Sequence, residues 1–169
     1  MKKWLAVLLF SLILTSCVQT FYVVRHAEKE VATGTANMMT NDPPLTEAGK
    51  QRAEALKETL KGKKIGYIFS TNTNRTRSTV EPLRAYLHLA IETYQPAPDQ
   101  AFISHLLSLK KNVLVVGHSN TVDDVVNKLC GSVKIPADLP DTAYDNLFII
   151  TKKGKRLVFE NKKYGTTSP

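Results

Sequence analysis

The stretch Phe21-Tyr22-Val23-Val24-Arg25-His26 decides how this chain reads. Four consecutive apolar residues predict a short strand buried on both faces, the pattern of a parallel sheet covered by helices. The strand runs straight into an Arg–His pair with no turn residue between. Asn112-Val113-Leu114-Val115-Val116-Gly117 repeats the arrangement, with His118 following at once. Ile65 to Phe69 predicts a further strand, and Arg75 follows shortly after it.

Helical segments lie between these strands. Residues 27–45 carry polar and turn-forming residues and read as loop. Thr46 is placed as an N-cap, and Gly49, Ala53, Leu56 and Leu60 follow helical spacing to an end near Gly62. A second helix is predicted from Asn74 to His88, with Pro82 forcing a kink or a late restart. Ile91–Tyr94 predicts a strand, and Asp99–Lys110 and Asn120–Leu129 predict helices, the latter ending at Gly131. Leu147–Thr151 and Arg156–Glu160 flank Lys152-Lys153-Gly154-Lys155 and predict a hairpin. Alternating strands and helices imply an α/β fold: three layers, α/β/α, around a largely parallel central sheet with a C-terminal β-hairpin.

A chain of 169 residues suits one domain. With 43% hydrophobic and 8% aromatic residues it is too apolar for a disordered chain, and two cysteines exclude a disulfide scaffold.

In an open parallel α/β sheet, ligands bind beyond the carboxyl ends of the strands. Arg25, His26, Arg75 and His118 would therefore converge on one edge. A lone histidine is more often structural and a lone arginine more often solvated; four together at strand ends suit phosphoryl transfer. Arginine gives a phosphate two parallel charge-assisted hydrogen bonds. A neutral imidazole can attack phosphorus and form a covalent intermediate. A second histidine can stabilise charge on the transferring group, and the helix start near Asn120 adds backbone donors. No carboxylate cluster of metal-binding spacing accompanies the site, so neither metal nor cofactor is expected.

These residues resemble a known family. Tyr22-Val23-Val24-Arg25-His26-Ala27-Glu28 is similar to the strand-plus-RHG motif of the histidine phosphatase (phosphoglycerate mutase-like) superfamily, in its RHAE-type form. Leu45-Thr46-Glu47-Ala48-Gly49 with Gln51-Arg52-Ala53 resembles the family's LTxxGxxQA helix start, with Arg52 where glutamine is usual. Ser70 through Arg75 to Thr79 resembles the segment of the second phosphate-binding arginine, and Val115-Val116-Gly117-His118-Ser119 the second-histidine motif.

The resemblance implies a single histidine phosphatase domain over 18–169. His26 would be the nucleophile and His118 the transition-state stabiliser, with Arg25, Arg75 and the Ser119 amide binding phosphate. The segment that often supplies a general acid offers Asp99; Glu28, Asp42 and Asp123 are the other candidates for that role. The expected activity is hydrolysis of a phosphoric monoester or phosphoramidate, on a small-molecule or envelope substrate. Mutase activity is disfavoured, because the chain lacks the insertions that enclose a phosphosugar acid. The alternative is a non-catalytic anion-binding protein that retains the pocket.

Lys2 and Lys3 precede Trp4 to Leu14, which is apolar except for Ser11. That run falls short of the roughly 20 residues of a membrane span and fits a signal-peptide core. Leu14-Thr15-Ser16-Cys17 resembles the lipobox of bacterial lipoproteins. It implies a signal peptide over 1–17, a lipid on Cys17 and a membrane partner. The address would be the bacterial cell envelope, facing the periplasm or exterior. Without lipidation, a secreted or periplasmic soluble protein is expected. Cys130, in an apolar helical stretch, reads as a structural thiol.

The net charge of +8 divides unevenly. Residues 151–169 carry +5, and residues 18–150 only +1. A basic tail around a near-neutral body argues against nucleic acid as partner; a lysine-protected edge strand or contact with anionic lipid accounts for it.

Overall fold

Side chains alternate across each central strand, and the helices cover both faces accordingly. The computed structural model describes residues 18–31 and 42–168. The apolar run from Trp4 and the lipobox Cys17 lie outside the described residues. Six strands form one sheet: β1 (Val18–Arg25), β2 (Ile65–Ser70), β3 (Ile91–Thr93), β4 (Asn112–Gly117), β5 (Asn146–Lys153) and β6 (Arg156–Lys163). Their order is β3-β2-β4-β1-β5-β6. The first four pair in parallel, and β5 and β6 add antiparallel at one side.

Phe21 and Val23 of β1, with Val113 and Val115 of β4, point to one face. There they meet Ile103 and Leu106 of α3 (Gln100–Ser108) and Val122, Val125 and Leu129 of α4 (Val122–Cys130). Tyr22, Val24, Leu114 and Val116 point to the other face, against Leu56 and Leu60 of α1 (Glu47–Leu60) and Val80 and Leu83 of α2 (Asn74–Leu87). Each such buried aliphatic side chain contributes about 1.5–3 kcal/mol relative to exposure. The three-layer α/β/α fold with a C-terminal hairpin is the observed one.

Four departures from the expected elements have a clear physical cause. β1 begins at Val18 rather than Phe21, because buried Gln19 donates its side-chain N–H groups to Leu106 O (3.3 Å) and Lys111 O (3.1 Å), leaving the polar residue satisfied inside the sheet. α2 is unbroken through Pro82; fully buried Val80 and Leu83 and the Thr79 hydroxyl, bonded to Arg75 O at 2.7 Å, anchor it on both sides of the lost donor. α4 starts at Val122, two residues late, since the Thr121 hydroxyl accepts the His118 N–H at 2.9 Å and holds residues 118–121 in a turn. The hairpin strands each run to eight residues, longer than their apolar cores, because cross-strand pairing carries β5 and β6 through Lys152–Lys153 and Lys162–Lys163.

Candidate active site

Because β4 pairs in parallel with both β1 and β2, the carboxyl ends of these three strands lie side by side. Arg25 is in register with Gly117, and Ser70 with Val116. The residues that follow therefore emerge along one edge. There the rings of His26 and His118 stand 5.5 Å apart between centroids, edge to face. Arg75, from the first turn of α2, brings Nη2 to 3.4 Å from His118 Nδ1. Arg25, His26, Arg75 and His118, spread over more than ninety residues of chain, are thus gathered at one place.

Local hydrogen bonds hold the His26 segment. Its N–H donates to Gly117 O at 2.9 Å, and the next N–H, of Ala27, to the Thr79 hydroxyl at 2.9 Å. Two glycines permit close approaches. A Cβ on Gly117 would lie 2.6 Å from the Tyr94 hydroxyl and 2.7 Å from that of Thr121. One on Gly49 would collide with Glu28 O, so α1 can approach the segment after His26 only without a side chain there.

His26 is 3% exposed. Its Nδ1 lies 2.8 Å from Ala27 O, a contact only an N–H can make favourably, so Nδ1 carries the proton and Nε2 the lone pair. Burial pushes its pKa down to about 3; the carbonyl contact opposes this, and the charges of Arg25 and Arg75 reinforce it. Burial, then Arg75 and Arg25, push His118 down to about 4. Both rings are neutral at neutral pH. His118 Nε2 lies 2.9 Å from the Thr71 hydroxyl, whose own proton reaches Thr76 Oγ1 at 3.0 Å.

The arginines are held by partners on one side only. Arg25 Nη1 donates to Pro140 O (2.8 Å) and Asp141 O (3.1 Å), and its guanidinium lies 4.3 Å over the Tyr144 ring. The exposed Asp141 carboxylate stands 3.6 Å away. Arg75 pairs with Asp42 at 3.1 Å. The Nε–H groups of both arginines are buried without an acceptor among the described residues. An unpaired buried donor costs about 1–3 kcal/mol, more when charged. Two of them beside the histidine pair suit an anion bearing several oxygens.

Ser119 follows His118 on the same edge, and its carbonyl accepts Leu139 N–H at 2.9 Å. Asp99 is placed differently from the expectation. Its carboxylate caps α3 by accepting Phe102 N–H at 2.7 Å, and no hydrogen bond or ion pair joins it to the four gathered residues. It lines a groove of about 430 Å³ along the ends of β2 and β3, with Thr73 and Tyr94. Glu28 is engaged by Arg52, and Asp123 sits in the first turn of α4, where burial raises its pKa.

Sequence reasoning missed Thr71, Tyr144 and the Asp42–Arg75 pair. Thr71 was findable, since it directly follows β2. Tyr144 was hidden because β5 runs antiparallel, so its beginning rather than its end meets the site.

Residues 21–96 match the model of the Histidine phosphatase superfamily (branch 1). A Photorhabdus laumondii protein named "Probable phosphoglycerate mutase GpmB" is 35% identical over 60 residues, which is 36% of this chain and 28% of that one. Among solved structures, the protein histidine phosphatase SixA complexed with tungstate superposes with a TM-score of 0.66 at 20% identity, covering 85% of this chain and 96% of that one. The mycobacterial glucosyl-3-phosphoglycerate phosphatase gives 0.62 at 12% identity, covering 89% and 100%. At such identities the structures speak for the fold. The family match spans 21–96, the segment that carries Arg25, His26 and Arg75, and there the chain is similar to the histidine phosphatase superfamily in sequence as well as in fold.

Proposed function

We propose that this chain is a phosphatase that hydrolyses its substrate through a phosphohistidine on His26. One observation carries the reading: a neutral imidazole with Nε2 unprotonated stands beside His118, at a site where Arg25 and Arg75 each keep a buried Nε–H without an acceptor among the described residues. Nε2 attacks phosphorus, the bond to the leaving atom breaks, and that atom departs with the electron pair. Arg25 and Arg75 bind the equatorial oxygens, with the Ser119 amide and His118 as further donors. As the His26 ring becomes phosphorylated, the Ala27 carbonyl stabilises the positive charge that the ring acquires. Water then attacks phosphorus, and phosphate leaves with His26 neutral again.

Proton delivery to the leaving atom narrows the substrate. Asp99 is committed to capping α3, and the carboxylates at the rim, Asp42 and Asp141, face arginines. Such a site favours leaving groups that depart readily, as in phosphoramidates and acidic phosphates, over alkyl monoesters. Hydrolysis rather than mutase transfer, and export to the cell envelope with a lipid on Cys17, belong to the same reading.

Hydrolysis of p-nitrophenyl phosphate by the wild type, with its loss in His26→Ala, tests the activity. Equal background rates in both, with vanadate still bound by the wild type, would leave an anion-binding protein instead. Recovery of acid-labile phosphate on His26 tests the intermediate. Palmitate labelling that disappears in Cys17→Ser tests the anchor.

A further inference from the structure

The end of the sheet opposite the histidines is basic on strand after strand. β2 is entered through Lys63-Lys64 and β4 through Lys110-Lys111. β5 leaves through Lys152-Lys153, and β6 is entered through Lys155-Arg156. Parallel pairing of β1, β2 and β4, with β5 antiparallel to β1 in the register Val18–Lys153, puts all four pairs at one end. All but Lys152 are exposed.

None of these eight side chains holds a carboxylate among the described residues, whereas lysines elsewhere, such as Lys50, Lys57 and Lys128, do. Residues 1–17 and 32–41 contain no Asp or Glu that could pair with them. Like charges this close repel within a Debye length of about 8 Å at physiological salt, so the cluster calls for an external anion. β1 begins at Val18, amid these lysines, and Val18 lines a shallow hollow with Lys64, Lys110 and Lys111. The segment bearing the apolar run Trp4–Leu14 therefore joins the fold at the centre of the basic end.

We propose that this end of the sheet docks on an anionic lipid bilayer. Lysine clusters beside an apolar segment suit lipid headgroups of negative charge. β1 then stands away from the bilayer, and its eight residues at roughly 3.3 Å each place Arg25 and His26 about 25 Å from the lipid surface. The pocket faces outward, open to substrates that are not in the membrane. Aromatic side chains interleaved with the lysines, which nucleic acid would need, are absent from these four pairs.

The test uses the full chain with vesicles of phosphatidylcholine, and of phosphatidylcholine with a third replaced by phosphatidylglycerol. The apolar run meets both alike, and a Lys2→Ser/Lys3→Ser background removes the basic pair that precedes it, so the phosphatidylglycerol excess isolates the basic end. That excess is expected to be at least tenfold in affinity and to shrink with added salt. Lys63→Glu/Lys110→Glu/Lys153→Glu abolishes it, while Lys50→Glu/Lys128→Glu/Lys134→Glu, an equal change of charge, keeps it. An excess that is missing or insensitive to salt in the wild type overturns the proposal, as does an equal loss in both triple variants. Single-stranded DNA bound as tightly through the same three lysines would also overturn it, in favour of nucleic acid. Hydrolysis of p-nitrophenyl phosphate stays at the wild-type level in the first triple variant, so the proposal and the phosphatase reading fail separately.

Discussion

The Nδ1 atom of His26 lies 2.8 Å from the carbonyl oxygen of Ala27, and this contact decides which nitrogen is free to react. It also belongs to a site whose histidines are neutral in the folded chain. Unfolded, each titrates near its ordinary value of 6.5, whereas the folded chain holds His118 neutral to about 4 and His26 to about 3. Between these limits the unfolded state binds more protons, so stability falls as pH falls. Each histidine contributes up to about 1.4 kcal/mol per pH unit in that window. Urea unfolding from neutral to mildly acid pH measures the slope. His26→Gln and His118→Gln should each flatten it, and an unchanged slope in both would mean that burial does not depress these groups.

Thr71 governs what His118 can offer the substrate. An arginine N–H can only donate, so the 3.4 Å contact of Arg75 Nη2 with Nδ1 leaves the ring proton on Nε2, facing the Thr71 hydroxyl. To donate from Nδ1 to a phosphoryl oxygen, the ring must take up a proton there from the bound phosphate or from water and release the Nε2 proton to water, and a hydroxyl that can turn from accepting to donating satisfies Nε2 in both states. Thr71→Val removes that hydroxyl at constant shape. Turnover should drop about a hundredfold, the scale of one lost transition-state donor, with KM little changed, and Thr71→Ser should restore it. Nitrogen NMR of His118 should show the Nε2–H tautomer in the wild type and a mixture in Thr71→Val. A tautomer unaffected by the valine would remove Thr71 from this role.

Asp42 stands where a phosphoryl group would compete with it. One carboxylate oxygen meets Arg75 at 3.1 Å, and the other accepts the Asn74 N–H at 2.6 Å. Asp42→Asn keeps an acceptor for Asn74 and removes the negative charge. Inorganic phosphate and vanadate should then bind several-fold more tightly, and p-nitrophenyl phosphate, whose leaving group needs no proton, should turn over at close to the wild-type rate. Weaker vanadate binding in titration would show instead that Asp42 orients Arg75.

Much of this was legible because burial on two faces writes itself into consecutive residues. Val23-Val24-Arg25-His26 and Val115-Val116-Gly117-His118 each announce a strand and what lies at its end. Parallel pairing then makes the convergence unavoidable. Contacts across elements were not legible. Nothing local marks Pro140 and Tyr144 as partners of Arg25, since they lie in a loop that only the antiparallel pairing of the following strand, β5, with β1 brings back to the site. Charge summed along the chain hid the basic end as well: Lys63-Lys64 and Lys110-Lys111 lie in a stretch of near-zero net charge, and only topology sets them beside Lys152-Lys153. Asp99, read as the general acid from its place in the chain, is committed instead to capping α3.

Arg52, the departure from the family's glutamine, has a physical explanation that yields a further prediction. Its side chain is 4% exposed, and Nε and Nη2 grip the Glu28 carboxylate at 2.6–2.9 Å, while Nη1 donates to Tyr164 O at 3.1 Å. One guanidinium thus ties α1 to the segment two residues beyond His26 and to the chain just after β6. A charge this buried is tolerated only with its partner in place. Removing one member of such a pair costs about 3–5 kcal/mol, whereas exchanging both for uncharged groups can be nearly neutral. Arg52→Gln alone should therefore lower stability strongly in urea unfolding, and Glu28→Gln alone should do the same by leaving a buried guanidinium. In Arg52→Gln/Glu28→Gln two amides can bond each other, and much of the loss should return. Additive losses in the double variant would show that Arg52 acts through Tyr164 and packing rather than through Glu28.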